Sequence, residues 1–344
     1  SGDGTAQRRP RASAIACLLL CLAATAEAAV GYQTLSASSG ATEPLRVSVW
    51  YPSDGEPADT RVGLFVQNVA ANAAPSGRQL PLVVVSHGNG GSLESHIGTA
   101  LALANAGFVV AAVEHQGDNY RDQSRAAYIE NRSLELARAI DHLLTAWQHS
   151  AVLDADRIGA FGFSAGGFSV LALAGGQPDM SRIADHCKTH PRQYVCRVAR
   201  GRRPDAAPGQ ATSATAAARP AFAIRALVVA APALGFTFVE GLGNVQMPVQ
   251  LWRADRDEIL PEPHYADAVR SALPRPAEFH AVPGAGHYDF LAPCSEQLRK
   301  IAPQICRSAP GFDRSAFHEE FNAAVVGFFA RELAAPAEAT APKP

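Results

Sequence analysis

Lysine, and charge in general, is scarce in this chain of 344 residues. Only 18% of the residues are charged, three are lysine, and the formal net charge is −2. Nucleic-acid-binding surfaces usually carry a basic excess, so no nucleic-acid partner is predicted. No apolar run reaches the roughly eighteen residues that cross a bilayer, so a stable membrane anchor is not predicted either.

Motifs for cofactors and catalytic zinc are also missing. No G-x-G-x-x-G follows a predicted strand and no H-E-x-x-H is present, so neither a dinucleotide nor a metal ion is expected. Apolar residues, in contrast, make up 47% of the chain, which is enough for a sizeable core and excludes wholesale disorder. The 28 glycines and 24 prolines suit a loop-rich α/β enzyme better than a helical bundle.

The N-terminal segment has the organisation of a secretory signal peptide. Arginines within residues 8–11 precede an apolar stretch, residues 14–24, and then the A-x-A cleavage pattern at residues 26–28. We therefore expect residues 1–28 to be removed and residues 29–344 to form one domain in the periplasm or outside the cell. A disordered or amphipathic N-terminal helix is the alternative.

Four cysteines lie outside the predicted signal peptide, and they fall into two close pairs along the chain. An exported protein with an even number of cysteines favours disulfides, so Cys187–Cys196 and Cys294–Cys306 are the expected bridges. One alternative is a zinc site formed by all four, but spacings of nine and twelve residues are too long for zinc knuckles. The other alternative is four buried free thiols.

Strands alternate with helices along the mature chain, which predicts a parallel sheet with helices on both faces. Residues 179–220 interrupt this alternation and are predicted to be an insertion, ordered in its first half and flexible in its second. The predicted strands are residues 45–51, 62–69, 80–86, 108–113, 157–163, 225–230, 249–253 and 278–282, and the predicted helices are residues 93–106, 134–147, 165–174 and 317–333.

The most informative motif is Gly162-Phe163-Ser164-Ala165-Gly166, which lies between a predicted strand and a predicted helix. That is the context of a nucleophile elbow, in which the serine projects at the carboxyl edge of the sheet. A glycine-rich turn with a bystander serine is the alternative. A serine hydroxyl needs a base, and His287, on a glycine-rich loop after the last predicted strand, is the favoured histidine.

The base in turn needs a carboxylate that orients it and stabilises its charged form. With the chain order serine, acid, histidine, this acid lies between Ser164 and His287. Asp255 and Asp257 both follow the predicted strand 249–253. Asp257 opens a turn that would point back over the sheet edge and is favoured, while Asp255 is the alternative.

Two backbone N–H groups are expected to form an oxyanion hole. Ala165 directly follows the candidate nucleophile and supplies one of them. Asn89 supplies the other, because it lies in the loop His87-Gly88-Asn89-Gly90-Gly91 after a buried strand. His87, in the same loop, is expected to be a structural hydrogen-bonding residue.

With these residues in place, the chain resembles the α/β-hydrolase superfamily. Within that superfamily it resembles the bacterial proteins called predicted dienelactone hydrolases, relatives of platelet-activating-factor acetylhydrolases. The resemblance implies an eight-stranded sheet, a Ser–Asp–His triad, esterase chemistry and no metal. True dienelactone hydrolases use a cysteine where this chain has Ser164, so acyl esters are the implied substrates. The stretches that carry the resemblance are residues 86–91, 162–167, 257–261 and 286–294.

The sequence therefore predicts an exported serine hydrolase that cleaves small carboxylic esters through an acyl-enzyme, without a cofactor. A peptidase or amidase of the same fold and a catalytically silent binding module are the alternatives. Specificity is expected to depend on the insertion and on residues 117–128. The Cys294–Cys306 bridge is expected to anchor the segment that carries His287, and Cys187–Cys196 to influence substrate entry.

Overall fold

The computed structural model describes Gly2 and residues 29–38, 43–201 and 222–335. Two predicted segments lie outside the described residues and stay predictions. They are the signal peptide, residues 1–28 with the exception of Gly2, and the second half of the insertion, residues 202–220. The strands are β1 (Ala29–Ala37), β2 (Leu45–Ser53), β3 (Ala58–Val62), β4 (Phe65–Ala71), β5 (Leu80–Ser86), β6 (Val109–Val113), β7 (Leu153–Phe163), β8 (Ile224–Ala230), β9 (Val249–Ala254) and β10 (Glu278–Val282). The α-helices of the described ranges are α1 (Ile97–Asn105), α2 (Asn131–Thr145), α3 (Ala165–Leu173), α4 (Arg182–Thr189), α5 (Tyr194–Ala199), α6 (Ala266–Ala272), α7 (Glu296–Ile301) and α8 (Arg314–Glu332).

The strands form a 10-stranded sheet in the order β10-β9-β8-β7-β5-β6-β2-β1-β4-β3. The strands from β10 to β6 run parallel to one another. The strand β2 is antiparallel to both β6 and β1, and β3 is antiparallel to β4. Because the carboxyl ends of the parallel strands share one edge, the loops that follow β5, β7, β9 and β10 meet there.

The sheet is larger than the eight strands that the resemblance implies, and both differences lie near the N-terminus. No strand is predicted before Leu45, yet β1 pairs with β2 along its whole length. Residues 62–69 were predicted to be one strand but contain the turn of a hairpin, β3–β4. Gly63 has φ +59°, a conformation that glycine adopts without strain, and it lets the chain reverse between the paired residues Val62 and Phe65.

Helices cover both faces of the sheet, and β5 shows how the sequence produces the two layers. Alternate side chains of a strand point to opposite faces, so a strand buried on both faces is apolar throughout. Leu82 and Val84 belong to the hydrophobic cluster that includes buried residues of α2 and α3. Val83 and Val85 belong to a second cluster, with buried residues of α1 and α8.

The first half of the predicted insertion contains two short helices, α4 and α5, which we call the α4–α5 hairpin (residues 182–199). A disulfide between Cys187 and Cys196 joins the two helices, with a Cα–Cα distance of 5.5 Å. The ring of His186 stacks on that of Phe236, with centroids 3.9 Å apart, and docks the hairpin on the main body. The second predicted pair, Cys294 and Cys306, is also a disulfide.

Candidate active site

Ser164 lies in a sharp turn between β7 and α3, at the carboxyl edge of the sheet. Its backbone has φ +56° and ψ −117°, in the region that non-glycine residues rarely occupy. Two glycines make this turn possible. A Cβ at Gly162 would lie 2.2 Å from the carbonyl oxygen of Gly166, and a Cβ at Gly166 would lie 1.9 Å from that of Ser86. The glycine pattern therefore reflects close backbone packing around the serine.

His287 reaches Ser164 from the loop that follows β10. Its Nε2 lies 3.0 Å from the serine Oγ, and its Nδ1 lies 2.7 Å from Oδ2 of Asp257. A carboxylate only accepts hydrogen bonds, so Nδ1–H donates to Asp257 and the neutral ring keeps Nε2 free to accept from the hydroxyl. The histidine ring also packs against Phe163, with centroids 4.8 Å apart. The three side chains thus form one continuous chain of hydrogen bonds.

The structure brings Asp257, and not Asp255, to the histidine. Oδ1 of Asp257 accepts the backbone N–H groups of Ile259 and Leu260, at 3.0 and 2.7 Å, which leaves Oδ2 directed at the ring. Asp255 instead pairs with Arg253 at 2.9 Å. The Asp257 side chain is 4% exposed, so its charge acts on the ring with little screening by water.

The loop that carries His287 is held by a charged cluster that the sequence analysis did not identify. Oδ2 of Asp289 accepts the Gly286 N–H at 2.8 Å, and its Oδ1 pairs with Arg314 at 3.0 Å and accepts the Ser308 hydroxyl at 2.5 Å. The Cys294–Cys306 disulfide closes the chain between Asp289 and Ser308. In the sequence, the one feature that could have pointed to this cluster is the position of Asp289, two residues after His287.

The loop with Asn89 is held by a buried ion pair, which the sequence analysis also missed. Oδ1 of Asp118 accepts the Gly90 N–H at 2.9 Å and the Asn89 side-chain amide at 2.5 Å. Its Oδ2 pairs with Arg132 at 2.5 Å, and Arg132 also donates to the carbonyl oxygen of His87. Asp118 belongs to the loop after β6, and Arg132 lies in the first turn of α2, so no local pattern links them to Asn89.

His87 is not hydrogen-bonded to Ser164 and takes part in the hydrogen bonding of its own loop. Burial and the charge of Arg132 lower the pKa of His87 well below its usual range, so the ring is neutral. Its Nδ1 donates to the Gly88 carbonyl at 2.7 Å, and its Nε2 accepts the His115 N–H at 3.2 Å. This placement matches the structural role expected for His87.

A pocket of about 60 Å³ opens at Ser164. Asn89 and Ala165, the two residues predicted to supply the oxyanion donors, both line it. The other side chains are mostly apolar, and several come from the α4–α5 hairpin, which therefore shapes the site. Those other residues are Ala126, Ala127, Ile129, Met180, Ile183, Tyr194, Val195, Val198, Ala199, Ala233, Leu234 and Leu260.

The described residues hold no group of three or more His, Cys, Asp or Glu side chains arranged to bind a metal ion. Within the same ranges, no helix is both long and apolar enough to cross a membrane.

The hydrogen-bonded chain from Ser164 through His287 to Asp257 joins a hydroxyl, an imidazole and a buried carboxylate. Such a chain can remove the proton of the hydroxyl as its oxygen attacks an electrophilic carbon.

Part of the chain is similar in sequence to a family model and to a named relative. Residues 56–139 match the family model described as platelet-activating factor acetylhydrolase, isoform II. This match includes the Asn89 loop, Asp118 and Arg132, and ends before Ser164. A protein named "Putative esterase NocK", from Nocardia uniformis subsp. tsuyamanensis, is 35% identical over 126 residues, which are 35% of either chain. The match therefore spans about a third of that relative.

A structural comparison extends over almost the whole chain. A ferulic acid esterase from Streptomyces cinnamoneus superposes with a TM-score of 0.60 at 22% identity, over 92% of this chain and 95% of the other. At this level of identity the likeness concerns the fold. Together with the sheet order and the turn at Ser164, it shows that the chain has the α/β-hydrolase fold, as the sequence predicts.

Proposed function

We propose that this protein hydrolyses carboxylic esters through an acyl-enzyme formed on Ser164. The observation that carries the proposal is the relay from the Ser164 hydroxyl to His287, at 3.0 Å, and from His287 to Asp257, at 2.7 Å. The names of the similar proteins, two esterases and an acetylhydrolase, support the same class of reaction.

In the first half of the reaction, Oγ of Ser164 attacks the carbonyl carbon while its proton passes to Nε2 of His287. The carbonyl oxygen takes the displaced electron pair and faces the backbone N–H groups of Asn89 and Ala165. When this intermediate collapses, the bond to the alcohol breaks, and the alcohol leaves with the proton from His287. Asp257 keeps its negative charge throughout and stabilises the charged ring.

In the second half, water takes the place of the alcohol. Nε2 of His287 accepts a proton from the water molecule as its oxygen attacks the acyl carbon. Collapse of the second intermediate returns the proton to Ser164 and releases a carboxylic acid. The mainly apolar pocket beside Ser164 suits the apolar part of a small ester.

Export from the cytoplasm is part of the proposal. Two disulfides are typical of proteins from oxidising compartments, and the basic and apolar segments before residue 29 suit a signal peptide. Mass spectrometry of protein recovered from outside the cytoplasm should find a chain that begins near Ala29. A chain that keeps residues 1–28 would contradict the predicted cleavage.

The proposed reaction can be tested with a fluorophosphonate probe and with paired p-nitrophenyl acetate and p-nitroacetanilide. We expect the probe to label Ser164 and the ester to be hydrolysed much faster than the anilide. Ser164→Ala should remove the label and lower ester turnover by roughly 10⁴ or more, because only oxyanion stabilisation remains.

A thermal unfolding midpoint equal to that of the wild type would show that Ser164→Ala is folded. Wild-type turnover in this variant would contradict the serine mechanism. A preference for the anilide would favour a peptidase or amidase, and an unlabelled, inactive wild type would favour a binding module.

A further inference from the structure

Tyr194 of the α4–α5 hairpin contacts the Asn89 loop. Tyr194 is the first residue of α5 and lies two residues before Cys196, which the disulfide ties to α4. The hydroxyl of Tyr194 is hydrogen-bonded to Oδ1 of Asn89, although the two residues are 105 positions apart in the chain. Both line the pocket beside Ser164.

The direction of this hydrogen bond follows from the chemistry of its neighbours. The carboxylate of Asp118 can only accept, so the Asn89 amide must direct Nδ2 towards it, at 2.5 Å, and Oδ1 towards the tyrosine. Tyr194 is therefore the donor. Burial raises the pKa of Tyr194, and nearby Tyr288 and Asp118 raise it further, so the hydroxyl keeps its proton at neutral pH.

Asn89 is thereby held from two sides by parts of the molecule that do not otherwise belong to its loop. Asp118 fixes the amide nitrogen and also accepts the N–H of Gly90, the next residue. Tyr194 fixes the amide oxygen through its hydroxyl. Without it, the side chain of Asn89 would be restrained at one end only.

We propose that Tyr194 is a positioning residue for the oxyanion hole, acting through the side chain of Asn89 to hold that residue's backbone N–H in place. The inference rests on the proposed function, since it assigns the N–H of Asn89 to the oxyanion. It also changes the role of the insertion: the docked hairpin completes the catalytic site in addition to shaping substrate entry. A shift of about 1 Å in a catalytic group can cost around a hundredfold in rate, so a restraint of this kind is worth measuring.

The test compares Tyr194→Phe with Tyr265→Phe. The Tyr265 hydroxyl donates to Oε1 of Gln193 at 2.5 Å, so it also ties the hairpin to the body, one residue before Tyr194. It is not hydrogen-bonded to Asn89. For Tyr194→Phe we expect kcat on p-nitrophenyl acetate to fall by about tenfold, a fraction of the loss of a whole oxyanion donor. KM should stay within about twofold of the wild type. Tyr265→Phe should keep at least about half of the wild-type kcat, because it loosens only hairpin docking.

A second readout follows the oxyanion hole without substrate turnover. The phosphoryl oxygen of a fluorophosphonate occupies the same oxyanion hole. The second-order rate constant for reaction of the fluorophosphonate with Ser164 should therefore fall in Tyr194→Phe by a factor similar to the fall in kcat. In an Asn89→Ala background, Tyr194→Phe should have no further effect on either rate, because the tyrosine acts through that side chain.

Several outcomes would overturn the inference. A rise in KM with unchanged kcat would make Tyr194 a substrate contact, and an equal loss in Tyr265→Phe would reduce its role to general docking of the hairpin. Unchanged kcat in Tyr194→Phe, with Ser164 still labelled by the fluorophosphonate, would overturn the positioning role alone. A wild-type protein whose Ser164 is not labelled would overturn both this inference and the proposed function.

Discussion

Ser164 and His287 meet at a distance of 3.0 Å, but the parts of the molecule that hold them are built differently. The turn at Ser164 is fixed by backbone packing, where the missing side chains of Gly162 and Gly166 let strand and helix approach. The loop at His287 is fixed by polar and covalent bonds between side chains, including the pair Asp289–Arg314. One region is therefore vulnerable to added atoms and the other to the loss of a polar or covalent partner.

Of the effects that test this difference, the largest is expected on kcat when the carboxylate that holds His287 is changed. Asp257→Asn should lower kcat by about 10³ to 10⁴, because an amide can hold the wrong tautomer of His287 and does not stabilise its charge. Asp255→Asn is the matched control and should stay within a few-fold of the wild type, since Asp255 pairs with Arg253. Steady-state kinetics on p-nitrophenyl acetate measures both. The reverse order would make Asp255 the acid.

The Gly166→Ala substitution tests whether the turn at Ser164 depends on close backbone packing. The added Cβ would lie 1.9 Å from the carbonyl oxygen of Ser86, so β5 and the turn would have to separate. We expect the free energy of unfolding to fall by about 3 kcal/mol or more, with loss of most activity.

The control for this variant is Gly327→Ala, in the interior of α8, where nothing lies within 4 Å of the added atom. It should gain about 0.5 to 1 kcal/mol from improved helix propensity. Urea denaturation gives both values. Equal effects of the two substitutions would show that the turn does not depend on backbone packing.

Removal of the disulfide beside the His287 loop should have a smaller effect. Cys294→Ser/Cys306→Ser opens a loop of about a dozen residues and should lower the free energy of unfolding by roughly 2 to 3 kcal/mol. Activity should fall with it, because the bridge closes the segment between Asp289 and Ser308. Thermal unfolding and ester turnover, measured on the same samples, test the link. Full activity in a destabilised variant would limit the bridge to a structural role.

A pH-dependent effect is expected from His96, whose ring contacts Phe163 of the Ser164 turn, with centroids 5.4 Å apart. Burial, and then the neighbouring His318, lower the pKa of His96 to about 3. A histidine in the unfolded chain binds its proton near pH 6.5, whereas His96 in the folded protein binds one only near pH 3. The free energy of unfolding is therefore highest above pH 6.5 with respect to this group, and it decreases as the pH falls from 6.5 towards 3.

For this single group, each pH unit within that window should cost up to about 1.4 kcal/mol. His96→Leu should therefore lose less stability than the wild type between pH 7 and pH 4, as measured by urea denaturation across the range. Parallel curves for the two proteins would show that His96 is not held neutral by the fold.

Local patterns were sufficient for the central sheet, in which strands such as β5 and β6 are buried along almost their whole length. The predicted strands 80–86 and 278–282 agree with the structure, and the remaining parallel strands differ only at their ends. β1 was missed because polar residues such as Gln33 and Thr34 obscure its alternation. The β3–β4 hairpin was merged into one strand because its two-residue turn is short, although Gly63 marks its position.

The parallel strands, the glycine-flanked turn at Ser164 and the candidates His287, Asp257 and Asp255 could all be identified from the sequence, since each depends on residues within one strand, turn or loop. The α/β-hydrolase fold was implied by a family resemblance. The choice of Asp257 over Asp255, and the contacts that hold these groups in place, required the folded structure. The pairs Asp118–Arg132, Asp289–Arg314 and Tyr194–Asn89 join separate loops and helices. Hydrogen bonds and ion pairs act over a few ångströms of space and leave no spacing rule along the chain, so their partners become visible only once the sheet has brought the loops to one edge.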